Sequence, residues 1–379
     1  MERFAWQQAR SVAEAATLAK RTVAEAMLAD PAQPAAADCV VLKAGGIDLL
    51  DLMKERLLRP ARVVNLREIP GLDGITMNIG TGDTSAGNTG SGNANARSTS
   101  ATDASAGDAS GVRIGALVTL AQLAAHPALR QRYTALADAA ASSASPQIRQ
   151  VATLGGNLLQ RPRCWYFRSA AHHCARKGGD HCFAFAGENH YHAVFGQAGC
   201  AIVHPSTVAT ALVALDARVE LATAQGTSRT VKLGDFLVGP EIDIRRETDL
   251  RAGEVLTAVL LPPASPGARS AFLKQAEKPS FDWSIADVAV VLECASDGRC
   301  RRVAVVLGAA APVPWRARQA EAVLAGQMID PVAARAAGQA AIVGAAPLPH
   351  NAYKLPILAA LVRRAVLQAA GTADPEDAR

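Results

Sequence analysis

The chain contains no G-x-G-x-x-G motif, no C-x2-C pair, and no apolar run near the roughly 18 residues of a membrane-crossing helix. The first absence removes sequence support for a Rossmann-type nicotinamide site. The second argues against the paired thiols of zinc knuckles and ribbons. Aromatic residues make up only 4% of 379, so the cores should be built from Ala, Val and Leu. The net charge of +5 shows no concentrated basic face of the kind nucleic-acid binders use. No Ser–His–Asp arrangement and no pair of carboxylates with a shared site stands out either. Residues 1–20 lack the apolar core of an export signal, and residues 12–28 read as one amphipathic helix. The expectation is cytoplasmic folding, with a periplasmic destination open only through a signal-bearing partner.

What is present is a mixed order of strands and helices long enough for two or three domains, which predicts the α+β class. Residues 40–54 read as strand, glycine turn and helix, and residues 62–66 as a second strand. Residues 78–111 are almost entirely Gly, Ser, Thr, Ala, Asn and Asp; they bury too little apolar surface to offset ordering and read as a disordered insertion. Strand character resumes at residues 112–117, and Thr119 with Gln122 forms a capping box. Ser206 caps a helix through Leu215. After a Pro-rich boundary at residues 261–267, strands are predicted at 271–275, 286–294 and 302–307, with Asp297-Gly298 as a hairpin turn. Helices over 315–324 and 355–369 close the chain. Cys294 and Cys300 flank the hairpin turn in a register read as diagonal, which disfavours a disulfide. His126 and His350 are expected to be exposed, Cys39 buried, and the Arg363-Arg364 pair on a solvated face or at a docking contact; Trp283 and Trp315 are read first as packing residues, with an approach to the flavin or a subunit interface as the alternative.

Two glycine turns carry the first chemical signal. A dinucleotide pyrophosphate needs several backbone N–H groups aimed at it, and glycine lets the backbone come that close. Ala44, Gly45, Gly46, Ile47, Asp48 and Leu49 could supply one wall of such a cradle. Thr153, Gly155, Gly156 and Asn157 could supply another, with side-chain hydrogen bonds from Thr153 and Asn157. Each turn alone is equally consistent with an ordinary tight turn before a helix.

Four of the seven cysteines fall within 37 residues: Cys164, Cys174, Cys182 and Cys200, spaced C-x9-C-x7-C-x17-C. Long irregular spacings suit a loop wrapped around a [4Fe–4S] cube held by four thiolates. Arg161, Arg163, Arg168, Arg176 and Lys177 surround them and would favour a negatively charged cluster. Structural zinc, with His172, His173 or His181 replacing one thiolate, and inert free thiols both remain open on spacing alone.

Together these segments resemble the FAD-binding middle subunit of the xanthine dehydrogenase family of molybdenum hydroxylases. The likeness covers Lys43-Ala44-Gly45-Gly46 and its helix, residues 112–117, 149–159, 204–215 and 274–290. Within the family it is greatest for the flavoprotein subunit of bacterial periplasmic aldehyde oxidoreductases, which carries a [4Fe–4S] loop directly after the second glycine motif. The runs Gly156 to Cys164 and Cys200 to Ser206 resemble that loop. The beta subunit of 4-hydroxybenzoyl-CoA reductase is the nearest rival.

The resemblance implies a two-part FAD-binding domain of the vanillyl-alcohol-oxidase type followed by a smaller α+β domain. Its expected limits are residues 1–70 and 71–240 for the two FAD-binding parts, the second holding the 78–111 insertion and a [4Fe–4S] loop at 161–203. Residues 265–379 are expected to form the C-terminal domain. It implies FAD contacts from the two glycine loops, from Ser206 and Thr207, from Leu256 toward the adenine, and from Lys274 near the flavin ring. Cys164, Cys174, Cys182 and Cys200 become the cluster ligands. Ile47 stands where the family often has Thr or Ser, and Thr207 where it usually has Asp. The implied partners are a small [2Fe–2S] subunit and a large molybdopterin subunit in a heterotrimer. An aldehyde would be oxidised on the large subunit, and electrons would reach this flavoprotein and then an external acceptor. A zinc-stapled, non-catalytic scaffold is the rival from another class, and a stand-alone flavin oxidase is a second.

Overall fold

The computed structural model describes residues 1–28, 39–79, 111–278, 281–374 and 376. Most of the segment read as an insertion therefore lies outside the described residues. Its first two positions belong to a strand, Ile75–Ile79, and Gly111 opens the next one.

Three sheets organise the chain in sequence order. The first is parallel and three-stranded: β1 (Ala5–Gln8), β2 (Val40–Lys43) and β3 (Arg62–Asn65), in spatial order β1-β3-β2. The second is antiparallel: β4 (Ile75–Ile79), β5 (Gly111–Gly115), β6 (Arg218–Thr223), β7 (Ser228–Lys232) and β8 (Glu254–Leu261), in order β4-β5-β8-β6-β7. Because β8 lies near its centre, this sheet continues past residue 240 and ends at the Pro-rich stretch. The third, also antiparallel, holds β9 (Arg269–Gln275), β10 (Ala286–Cys294), β11 (Cys300–Gly308) and β12 (Trp315–Arg316).

The third sheet is covered on both faces, as β10 makes plain. Its Ala286, Val288, Val290 and Leu292 join the core beneath the C-terminal helices, while Ala289 and Val291 join the core of the second sheet. Alternation with period two sends successive side chains to opposite layers, so a continuous apolar run becomes a strand buried on both sides. The helices Thr134–Ala141 and Thr207–Ala214 fill the layer between the two antiparallel sheets with small side chains. These cores are aliphatic, as the composition implies. Among the described residues no helix is long and apolar enough to cross a membrane.

Several local readings change. Residues 12–28 form two short helices, Val12–Leu18 and Val23–Met27, because Thr22 and Glu25 make a capping box that starts a new helix. Residues 315–316 are strand, so the helix there begins at Arg318, and Pro331–Ala341 adds a helix that was not foreseen. A bulge between Glu293 and Cys294 shifts the hairpin register, so Cys294 sits directly opposite Cys300 rather than diagonally. Both are free thiols. Arg363 is largely buried and paired with Asp374 and Glu376, not solvated. Trp315 packs, stacking on Phe195, whereas Trp283 is 54% exposed. His350 is exposed and Cys39 buried as expected, while His126 is half-buried.

Candidate functional site

One cavity of about 870 Å³ gathers nearly every residue assigned to a cofactor. Its front wall is the turn after β2 and the helix Ile47–Lys54. Gly46 caps that helix with φ of +84°, a left-handed backbone that glycine takes without strain. It provides no capping side chain, so the first-turn N–H groups meet the cavity as a partial positive charge. The second glycine loop faces it. Thr153 Oγ1 accepts from the Gly156 N–H at 3.2 Å, and the short helix Leu154–Leu158 begins there. The two loops touch backbone to backbone: a Cβ on Gly45 would lie 2.3 Å from the Val151 carbonyl oxygen. A Cβ on Gly155 would crowd Ala116 and Leu256.

Lys43, Ala44, Ile47, Asp48, Leu49, Asn157, Thr207, Leu256 and Lys274 line the same cavity. Ser206 does not. Its hydroxyl donates to Asn157 Oδ1 at 2.5 Å and accepts from the Ala209 N–H, so it braces the glycine loop from behind. Thr207 is drawn to Ser143, with the two hydroxyl oxygens 2.6 Å apart. Lys274 donates to the carbonyls of Ser142 and Asp282, and burial holds its pKa below the ordinary lysine value. The Asp48 carboxylate is engaged by Arg163, Arg168 and the Arg161 N–H, so it tethers the cysteine loop instead of standing free.

Sequence reasoning missed several walls. Arg245, Arg246 and Glu247 line the cavity from a loop with no motif, and Trp283 lies at its edge under the Arg163 guanidinium, 4.7 Å from the ring centre. Ala144, flanked by the lining residues Ser143 and Ser145, has φ of +49°. Such strained backbone concentrates at functional sites. Nothing in an alanine's identity signals it.

The four clustered cysteines converge on a second, small cavity that they share with Tyr166, Arg176, Phe183 and His192. Burial pushes the Cys164 thiol up to about 11, and the His192 Nε2 lies 3.2 Å from its sulfur. The neighbouring Cys182 thiol and the Arg176 charge hold Cys200 below the ordinary thiol range, against the opposing effect of burial. Of the five nearby cations, Arg176 and Lys177 act on the thiols. Arg161, Arg163 and Arg168 are taken up by Glu247, Asp48 and Asp51. No three of the cysteine sulfurs lie within 4.8 Å of one another. Thiolates at the roughly 3.8 Å edge of a zinc–thiolate tetrahedron would all fall within that limit. The donor set fits a larger anionic cluster: four thiols, a bonded arginine, and an enclosed apolar wall.

Residues 100–264 match the FAD binding domain in molybdopterin dehydrogenase, and residues 270–369 match the CO dehydrogenase flavoprotein C-terminal domain. The aldehyde oxidoreductase FAD-binding subunit PaoB of Escherichia coli is 32% identical over 94% of both chains. The chain belongs to the FAD-binding medium-subunit family of molybdenum hydroxylases. The nicotine 6-hydroxylase medium subunit of Paenarthrobacter nicotinovorans is 29% identical over 86% of this chain and 88% of its own. Among solved structures, the carbon monoxide dehydrogenase of Hydrogenophaga pseudoflava superposes with a TM-score of 0.65 at 26% identity, over 98% of both chains. The Cu,Mo-CO dehydrogenase matches at 0.67 and 24% identity, again over 98% of both, and shares the fold. The medium-subunit flavoprotein is thus an FAD-binding oxidoreductase component, with a mixed α/β fold common to these enzymes.

Proposed function

We propose that this flavoprotein is the FAD- and [4Fe–4S]-binding electron-transfer subunit of a heterotrimeric, molybdenum-dependent aldehyde oxidoreductase. Its partners in this reading are a small [2Fe–2S] subunit and a large molybdopterin subunit, and it passes electrons to an external acceptor. The observation that carries the proposal is the convergence of Cys164, Cys174, Cys182 and Cys200 on one buried cavity, tethered to the wall of the large one. The kinship to a subunit named for aldehyde oxidation supports the substrate class.

In this reading the helix Ile47–Lys54 and the Thr153–Gly156 turn hold the pyrophosphate of FAD. Leu256 packs on its adenine and Lys274 approaches its ring. FAD, when bound, supplies a centre that accepts electrons singly and releases them singly or in pairs. The protein's own part is to fix position and exclude water. Asp48 and Glu247 clamp the start of the cysteine loop against the cavity wall, which keeps the two sites in one rigid frame. Arg176 favours a negative charge at Cys200. In this reading residues 1–70 and 71–240 are the two FAD-binding parts and residues 265–379 the C-terminal domain; the three sheets support the division, with the second part running on to Leu261.

Metal and flavin analysis of the purified protein tests the proposal. About four iron atoms, four sulfides and one FAD per chain are expected, with broad visible absorption beside the flavin bands. One zinc without iron would overturn the cluster assignment, and aldehyde turnover by the isolated chain would overturn the subunit assignment.

A further inference from the structure

Outside both cavities, three potential ligands meet on the surface where the cysteine loop crosses the C-terminal domain. Glu188 Oε2 lies 3.2 Å from His190 Nδ1 and 3.8 Å from His350 Nδ1. Among the described residues this is the one group of three or more such side chains whose ligand atoms all fall within 4.8 Å. The two imidazoles stack with ring centres 5.0 Å apart and planes 24° from parallel, so each presents its Nδ1 to the same carboxylate. All three side chains are exposed.

We propose that Glu188, His190 and His350 form a site for a borderline divalent cation, with zinc as the reference ion, that clips the cysteine loop to the C-terminal domain. Metal–ligand bonds of about 2.0–2.2 Å in a tetrahedron place ligand atoms roughly 3.4 Å apart, between the two distances found here. Two neutral imidazoles and one carboxylate select zinc, copper, nickel or cobalt over magnesium and calcium, which take oxygen ligands. Three protein ligands leave a coordination position for water.

The frame that holds the ligands is rigid although the ligands are exposed. Asn189, fully buried between Glu188 and His190, donates to the carbonyls of Ala184 and Gly187 and accepts from the His350 N–H at 3.0 Å. Asn351, equally buried beside His350, donates back to the carbonyls of His192 and Ala193. Tyr353 Oη donates to the His190 carbonyl at 3.1 Å. Each segment thus braces the other through the residue next to its own ligand, and the backbone under the site is fixed before any ion arrives. A metal would add a bond between segments 161 residues apart. This inference does not rest on the FAD or cluster assignment.

The test uses the purified full-length protein and zinc chloride. The wild type should bind one zinc more per chain than His190→Ala or His350→Ala, and the variants should bind it more than about a hundredfold more weakly. Millimolar magnesium should not displace it. Copper(II) in the site should give an electron paramagnetic resonance spectrum split by two nitrogens. Zinc should also slow protease cleavage within residues 161–203 in the wild type and leave both variants unchanged. The variants should keep wild-type flavin content and melting temperature, because the three side chains bury little. Equal zinc uptake by wild type and variants would overturn the site, and uptake without protection would overturn the clip.

Discussion

The large cavity and the cysteine cavity flank one buried carboxylate and are built in contrasting ways. The first takes its frame from regular structure, the end of β2, the helix Ile47–Lys54, the turn beside β5 and β8, with the Arg245–Glu247 loop closing one side. Its shape is inherited from sheets that carry their own cores. The second is enclosed by residues 161–203, where the regular elements are three short turns, Trp165–Arg168, Ala175–Lys177 and Phe183–Phe185. That loop is held by particular side chains instead. Glu247 bonds Arg161 on the large-cavity side and Arg176 on the cysteine side, with all three side chains under a tenth exposed. A sheet-built pocket tolerates the loss of one contact. A loop held by a few buried charges does not.

Glu247→Gln strikes the joint between the two regions and should have the largest effect. It leaves two buried guanidiniums without a countercharge, which costs about 3–5 kcal/mol. The denaturant midpoint should fall, and cleavage within residues 161–203 should accelerate first. A loss below about 1 kcal/mol would mean that the two regions are independent.

The next effect belongs to a buried carboxyl behind Lys274 and Ser284, two residues of the large cavity's wall. Burial raises the Asp287 carboxyl from its ordinary 3.8 to about 6, partly offset by Ser284, Thr210 and the charges of Lys274 and Lys354. The folded chain therefore holds this proton over a range where the unfolded chain has released it. The stabilisation is complete below pH 4 and is lost as pH rises to about 6, by about 2–3 kcal/mol. Asp287→Asn should flatten that slope in unfolding curves taken from pH 4 to 7. An unchanged slope would place the proton elsewhere.

Gly45→Ala separates the regions in the other direction. Its methyl group would meet the Val151 carbonyl, so the glycine loops must part. Overpacking of this kind costs about 1–3 kcal/mol, and FAD affinity should fall roughly 5- to 150-fold while iron content holds. Equal loss of flavin and iron would show that the two sites fold as one unit.

The same contrast governs how much of the molecule was legible in the sequence. The glycine loops, the Thr119 and Ser206 caps and the strand β10 were readable because each is a local pattern with a local cause. The cysteines were readable as a group by residue type, and their spacing alone left zinc open. The partners that complete each site were not readable. Glu247, Asn189 and His192 sit in loops without periodicity, and their roles depend on contacts with residues far away in the chain. Cys294 and Cys300 were misjudged because a single bulged residue changes which side chains face each other. Residues 12–28 were misjudged because Thr22 and Glu25 restart a helix inside an otherwise continuous apolar pattern.

The antiparallel neighbours β4 and β5 give residues 80–110 a use of their own. Ile79 pairs with Gly111 where β4 and β5 lie side by side, so the two ends of the connecting segment are neighbours. Loop-closure entropy grows only with the logarithm of length, roughly 0.6 kcal/mol per doubling. A fluorescent domain or an affinity handle spliced between those neighbouring ends would ride on the flavoprotein at little thermodynamic cost.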